Sequence, residues 1–409
     1  MTSPTPCCPE YAAVTRRGLF RGVALAGVTT VVGSAVVTTS PAQALAPAKS
    51  VLVVLSLRGA ADGLSLVVPY TDPVYYAARP KIAIPADRLL ARNGTFGLHP
   101  RLSALVPLWT AGKVAAIHAT GLPVANRSHF AAMEAVEDAN PGSTTRQGWL
   151  NRLIGSDATR SPLEGFHLGR SVVPTSLYGP QPVMAADRPD GLSIPAGDQR
   201  GRTRSLHTLW DSDRSPLGRG MRSAFEAVNG FGPVQDAADR TSSYPATDLG
   251  KALAQVARVV RGDVGTEVIT VDQGEWDHHN GLGTLEWGSM RDNAQELATA
   301  VAAFFGDLGP HTGKVTMVVL SEFGRRVQEN ANFGLDHGHG NVMLAIGAGV
   351  KGGYYASWPG LTNTSDADLR VTTDYRNVLA DVVQSRFGAS IPRVFPGLKR
   401  KRVGFMQGV

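Results

Sequence analysis

Runs of consecutive apolar residues alternate along this chain with stretches whose apolar positions recur every three or four residues. Val51 to Leu57 is apolar at nearly every position and rich in β-branched side chains, which predicts a strand buried on both faces. The same pattern predicts strands at Val114–Ile117, Val268–Val271, Val315–Leu320 and Val342–Ile346. Helical spacing predicts helices around Leu102–Trp109, from Ser128 through Val136, over Leu249–Val260 and over Tyr375–Phe387. Met290, Ala294, Leu297, Val301, Phe304 and Leu308 recur at helical steps and define the most amphipathic helix. Strands alternating with helices predict a doubly wound α/β domain.

Two segments break the pattern. Residues 195–247 are rich in Arg, Ser, Asp and Gly and read as an irregular, partly helical insertion at the sheet's edge. At the N-terminus, Arg16 and Arg17 precede a weakly apolar run from Val23 to Val37, followed by Ala42-Gln43-Ala44. A basic start, a short apolar run and an A-x-A site define a secretory leader, and the arginine pair resembles a twin-arginine signal. Residues 1–44 are therefore expected to be removed on export by the twin-arginine machinery. That would leave a single domain over 45–409, outside the cytoplasm or in the cell envelope, with no stable membrane anchor.

Composition narrows the chemistry. Both cysteines, Cys7 and Cys8, lie in the leader. A mature chain without cysteine has no disulfide framework, thiol nucleophile, Cys-type zinc site or iron–sulfur cluster. Charged residues make up 18% of 409, and the 46 glycines and 26 prolines fall short of low complexity, which excludes collagen, coiled coil and wholesale disorder. A formal charge of +6, about +4 without the leader, does not point to nucleic acid.

Ligands of open α/β sheets sit beyond the carboxyl ends of the strands. Here those ends carry Arg58-Gly59-Ala60-Ala61-Asp62-Gly63, then Asp272-Gln273-Gly274-Glu275-Trp276-Asp277-His278-His279, then Ser321-Glu322-Phe323-Gly324-Arg325-Arg326. Asp336-His337-Gly338-His339-Gly340 lies shortly beyond. Carboxylates and imidazoles on several loops are what a divalent metal requires, although one Asp after a strand is often only a helix cap. Trp276 reads as packing. Ser128 opens a helix, so it is either a cap or a nucleophile whose alkoxide the helix amides and a metal would favour. No G-x-S-x-G elbow or phosphate-binding G-x-x-x-x-G-K-[S/T] loop occurs, and the glycines at 347–352 cannot open the helix that a dinucleotide fingerprint needs. Lys399-Arg400-Lys401-Arg402 reads as a solvated terminus.

These residues resemble an exported bacterial family catalogued as domain of unknown function 1501. The matching pieces are Leu57–Gly63, Pro69-Tyr70, Arg127–Phe130, the Gly-x-Trp-Asp-x-His segment ending at His279, Ser321–Arg325, Asp336–Gly340 and Thr372–Arg376. The family looks like a branch of the alkaline-phosphatase-like superfamily, which implies a mixed, mostly parallel sheet sandwiched by helices with metals at the strand ends. Carried over, Asp62 takes the place of the first metal aspartate and Ser128 that of the nucleophile. Asp272 or Asp277 with His279, completed by His337 or His339, resembles one metal's ligand set. Glu322 stands where the other metal's Asp would be, and Phe323 replaces the adjacent His. The expectation is an exported hydrolase of a phosphate ester or related anionic ester, small or polymeric. It would use one or two ions of zinc, manganese or magnesium. A secreted, non-catalytic binding protein on a degenerate scaffold is the alternative.

Overall fold

The computed structural model of the chain describes residues 29–32, 35–38, 46–156, 161–169, 173–192, 204 and 208–408. A mixed eleven-stranded sheet organises it. In chain order the strands are β1 (Thr29–Val32), β2 (Ala35–Thr38), β3 (Val51–Leu57), β4 (Val114–Gly121), β5 (Gly165–Leu168) and β6 (Met184–Ala186). They continue with β7 (Val268–Gln273), β8 (Val315–Leu320), β9 (Asn341–Gly347), β10 (Gly353–Tyr355) and β11 (Thr373–Asp374). Across the sheet they run β1-β2-β6-β5-β7-β3-β8-β9-β4-β10, with β11 also on β4.

Burial on both faces explains the continuous apolar strands. In β3, Val51, Val53, Leu55 and Leu57 point into one core and Leu52 and Val54 into the other. The first core is covered by helices Asp248–Gly262 and Ser289–Asp307, through Leu253, Val256, Leu297, Val301 and Phe304. Helices His129–Asp138, Trp149–Ile154 and Tyr375–Phe387 cover the second, through Val136, Trp149, Val378 and Leu379. The six periodic positions from Met290 to Leu308 are all at most 2% exposed. Burying each of the larger side chains contributes roughly 1.5–3 kcal/mol. The doubly wound α/β expectation therefore holds, as does a mixed, mostly parallel sheet.

Orientation departs from an all-parallel reading at two strands, one of them β2, which runs antiparallel to β1 and β6. The other, β9, runs antiparallel to both β8 and β4. Residues 321–340 join β8 to β9 without a crossover helix, so the chain re-enters the sheet from the end it has just left. The carboxyl ends of β3, β4, β7 and β8 and the amino end of β9 consequently share one edge. That topology gathers the loops at 58–62, 122–128, 274–279, 321–326 and 336–340. Strands β5 and β6, of four and three residues, are too short to show periodicity and escape the sequence reading.

The expected insertion is partly helical, with helices at Pro216–Gly230 and Gly232–Asp236. Residues 193–203 and 205–207 lie outside the described residues. So does most of the expected leader, including Arg16, Arg17 and the Ala42–Ala44 site. Its strands β1 and β2 pair with each other, and β2 pairs with β6. Among the described residues no helix is long and apolar enough to cross a membrane.

Candidate metal centre

Three imidazoles and one carboxylate converge at this edge. The Nε2 atoms of His129 and His337 are 2.9 Å apart, and those of His279 and His337 are 2.8 Å apart. Asp277 Oδ1 lies 3.6 Å from His129 Nε2, 3.2 Å from His279 Nε2 and 3.8 Å from His337 Nε2. Each imidazole is oriented from behind. Glu322 Oε1 lies 2.8 Å from His129 Nδ1, Asp336 Oδ1 3.3 Å from His279 Nδ1, and the carbonyl of Arg127 2.8 Å from His337 Nδ1.

Those partners decide the tautomers. A carbonyl or carboxylate facing Nδ1 requires an N–H there, so each neutral ring carries its lone pair on Nε2. Three lone pairs and a carboxylate oxygen then point at one another, an arrangement of acceptors that only a cation or a proton satisfies. Among these groups, the ligand atoms of His129, Asp277 and His337 all lie within 4.8 Å of one another, a donor set that fits a divalent ion. Zn–N distances of about 2.0–2.1 Å in a tetrahedral site imply ligand atoms ~3.3 Å apart, within the spread observed here. Without a metal, a proton takes that role. Burial lowers the pKa of His129, but hydrogen bonds and charge from Asp277 and Glu322 outweigh it and raise the pKa to about 9. Burial would raise Asp277, yet bonds from His129, His337 and Arg325 hold it well below the carboxylate range.

Arg325 builds the frame. It is fully buried and donates to the carbonyls of Ala60 at 2.7 Å, Gly59 at 2.5 Å and Leu335 at 3.0 Å, and to Asp277 Oδ1 at 2.6 Å. One guanidinium thereby ties the loops after β3, β7 and β8 together and aims Asp277. Phe323 packs on His129 and His337 with ring centroids 5.0 and 5.1 Å apart, closing one side of the cluster. Trp276 is buried, as expected of packing.

Of the residues singled out from the sequence, Asp277, His279 and His337 meet in the cluster. Glu322 supports it through His129 and is itself held by Gly59 N–H at 2.9 Å. Three carboxylates or imidazoles expected as ligands stand elsewhere. Both oxygens of Asp62 are taken by Arg79, at 2.6 and 3.0 Å, and Asp62 caps a helical turn through Ser65 N–H. Asp272 pairs with Arg58 at 3.0 Å, and Arg58 also binds Glu137 at 2.7 Å. His339 Nε2 donates to the carbonyl of Leu122 at 2.8 Å, which fixes the start of the 122–128 loop. Arg79 and Arg58 engage Asp62 and Asp272 outside the cluster, and no spacing rule reveals these partners.

His129 is the member that the sequence reading missed. It is the first residue of its helix, where the side chain leans back toward the preceding loop and so toward the strand ends. A histidine directly after a helix-opening serine was the available signal. Ser128 is the N-cap residue, yet its hydroxyl makes no capping bond. Its backbone N–H instead donates to Asn126 Oδ1 at 3.0 Å, and neighbouring Arg127 pairs with Asp368. No curated protein matches the chain. Residues 48–384 match the family described as "Protein of unknown function (DUF1501)", and the chain belongs to that family.

Proposed function

We propose that this chain is an exported, metal-dependent hydrolase of a phosphate ester or related anionic ester on an alkaline-phosphatase-like scaffold. The observation that carries the reading is the convergence of three oriented imidazoles and Asp277 Oδ1 at the carboxyl edge of the sheet. His129, His279, His337 and Asp277 would hold the ion, and three nitrogens with one oxygen favour zinc or manganese over magnesium. When bound, such an ion supplies Lewis-acid neutralisation of an ester's oxygens. Ser128 provides the nucleophile: a hydroxyl free of capping duty, at the amino end of the helix that begins with His129. Its Oγ attacks the phosphorus in line as the alcohol leaves, and water then releases the serine ester.

A secreted binding protein on a degenerate scaffold is the second reading. It is favoured by the arginines that neutralise Asp62 and Asp272, which leave a second ion without those ligands. Elemental analysis of protein purified without chelator separates the two. The hydrolase reading expects about one divalent ion per chain, loss of the ion in His337→Ala and turnover of a generic phosphomonoester, phosphodiester or sulfate ester. Protein that stays metal-free on titration with zinc and manganese sinks the hydrolase and leaves the binder. Export is tested separately: Arg16→Lys with Arg17→Lys should leave the precursor in the cytoplasm, and undiminished export would refute the twin-arginine route.

A further inference from the structure

The basic run at 399–402 is not the solvated tail that its sequence suggests. Asp381, fully buried, spends both oxygens on holding this segment: one accepts from Arg400, the other from the backbone N–H groups of Val403 at 3.1 Å and Gly404 at 2.7 Å. Asn377 Oδ1 accepts from Lys401 N–H at 2.7 Å. With Arg400 drawn inward, Lys399, Lys401 and Arg402 are left exposed along one rim. Among the described residues none of the three has a carboxylate within ion-pair distance.

That rim borders a groove of about 940 Å³ at the far edge of the sheet, between β10 and β11 where both pair with β4. Tyr354 and Tyr355 form part of its wall, together with the hydroxyls of Ser357, Thr372 and Thr373. Tyr354 turns its ring to the opposite face of the sheet, against Phe96 and Trp109, whereas Tyr355 keeps its ring on the groove side with its hydroxyl tied to the carbonyl of Lys351. The floor's own charges cancel, because Arg376 is paired with Asp374 at 3.0 Å. Three unmatched cations on a pinned segment, beside the Tyr355 ring and the hydroxyls in an open trough, form a preorganised surface for a long anion rich in hydroxyl groups.

We infer that this groove binds an acidic polysaccharide, whose carboxylates or sulfates meet Lys399, Lys401 and Arg402 while a sugar ring lies against Tyr355. The inference does not rest on the metal centre. Its test is fluorescence anisotropy with a labelled oligogalacturonate at low and moderate salt, on full-length mature protein treated with chelator. A neutral oligosaccharide and an oligothymidylate of similar length serve as the other probes. Wild type should bind the acidic sugar with salt-sensitive affinity and ignore the neutral one. The triple variant Lys399→Gln, Lys401→Gln, Arg402→Gln should bind at least about tenfold more weakly, since interfacial charges set such recognition. Lys49→Gln, Lys113→Gln, Lys251→Gln, with the same change in net charge, should bind like wild type. Unaltered melting temperatures in both triples confirm the fold, because the Asp381 anchor is kept. Equal affinity in the groove variant, no binding at low salt, or oligothymidylate bound as tightly as the sugar would each overturn the inference. Binding that requires metal would assign the sugar to the other site and overturn it too.

Discussion

Ser128 and His118 show how a side chain's partners determine what its replacement does. A serine that opens a helix usually caps it, and losing such a cap costs about 1 kcal/mol. Here the hydroxyl makes no capping bond, so Ser128→Ala should melt close to wild type while turnover falls on the order of 10³-fold if the hydroxyl is the nucleophile. Full turnover in the variant would remove Ser128 from the chemistry. His118 is decided by burial. Its Nε2 lies 2.8 Å from the carbonyl of Val67, and its Nδ1 accepts from Ala119 N–H at 3.0 Å. Only the neutral ring satisfies both, and burial lowers its pKa to about 4; His99, also buried, is lowered to about 4 as well. The unfolded chain takes up these protons near pH 6.5 and the folded chain does not. Their stabilisation is therefore complete above pH 6.5 and is lost as pH falls toward 4, by about 1.4 kcal/mol per pH unit for each ring. Urea midpoints measured from pH 7 to 4 should fall less steeply in His118→Gln than in wild type, and parallel curves would contradict this. The sequence showed that histidines and carboxylates crowd the strand ends, and it located Asp277, His279 and His337. It was silent on which carboxylates meet a guanidinium, because Arg79 reaches Asp62 and Arg58 reaches Asp272 only once the strands are aligned.

Elements were legible where a face repeats. The helix Ser289–Asp307 carries its apolar positions at steps of three and four, and the long strands are apolar throughout because both faces are covered. Phe304→Ala in that helix should destabilise the fold by about 3–5 kcal/mol, read from the denaturant midpoint, since its ring is fully buried. What periodicity does not carry is direction. β9 has the same buried composition as β8 and β4 on either side of it, and only the missing crossover helix betrays its reversal. The loops depend on close backbone approach, also invisible to pattern. A Cβ on Gly324 would lie 1.9 Å from the carbonyl oxygen of Gly340, at the crossing of the 321–326 and 336–340 loops. Gly324→Ala must separate the loops that carry Glu322 and His337. Its expected signature is weakened metal binding with a larger loss of stability than any loop alanine elsewhere at the surface. Wild-type metal affinity in that variant would show that the crossing does not shape the centre.

On the scale of the whole molecule, the cluster draws one side chain from the helix after β4, two from the loop after β7 and one from the loop before β9. Its supports come from the 122–128 loop, the loop before β9 and the end of β8. The cores on both faces of the sheet are complete without it, so the protein freed of metal should remain folded. An ion that binds only the folded chain nevertheless stabilises all of it by mass action, by about 4 kcal/mol at a thousandfold excess over Kd. With an unfolding entropy of ~2.1 cal/mol/K per residue over roughly 360 residues, that corresponds to a rise in Tm of about 5 °C. Zinc or manganese added to chelator-treated protein should produce such a rise, growing with the logarithm of metal concentration above Kd. His279→Ala should abolish it, because a ligand is gone. Asp336→Asn keeps every ligand but weakens the orientation of His279, and should shift the response to roughly 10–100-fold higher metal. The Asp62 pair provides the contrast. Asp62→Asn leaves Arg79 buried without its counter-charge, so it should lower the melting temperature at every metal concentration while leaving the metal-induced rise intact. A metal response lost in Asp62→Asn, or retained in His279→Ala, would place the ion elsewhere than between His129, His279, His337 and Asp277.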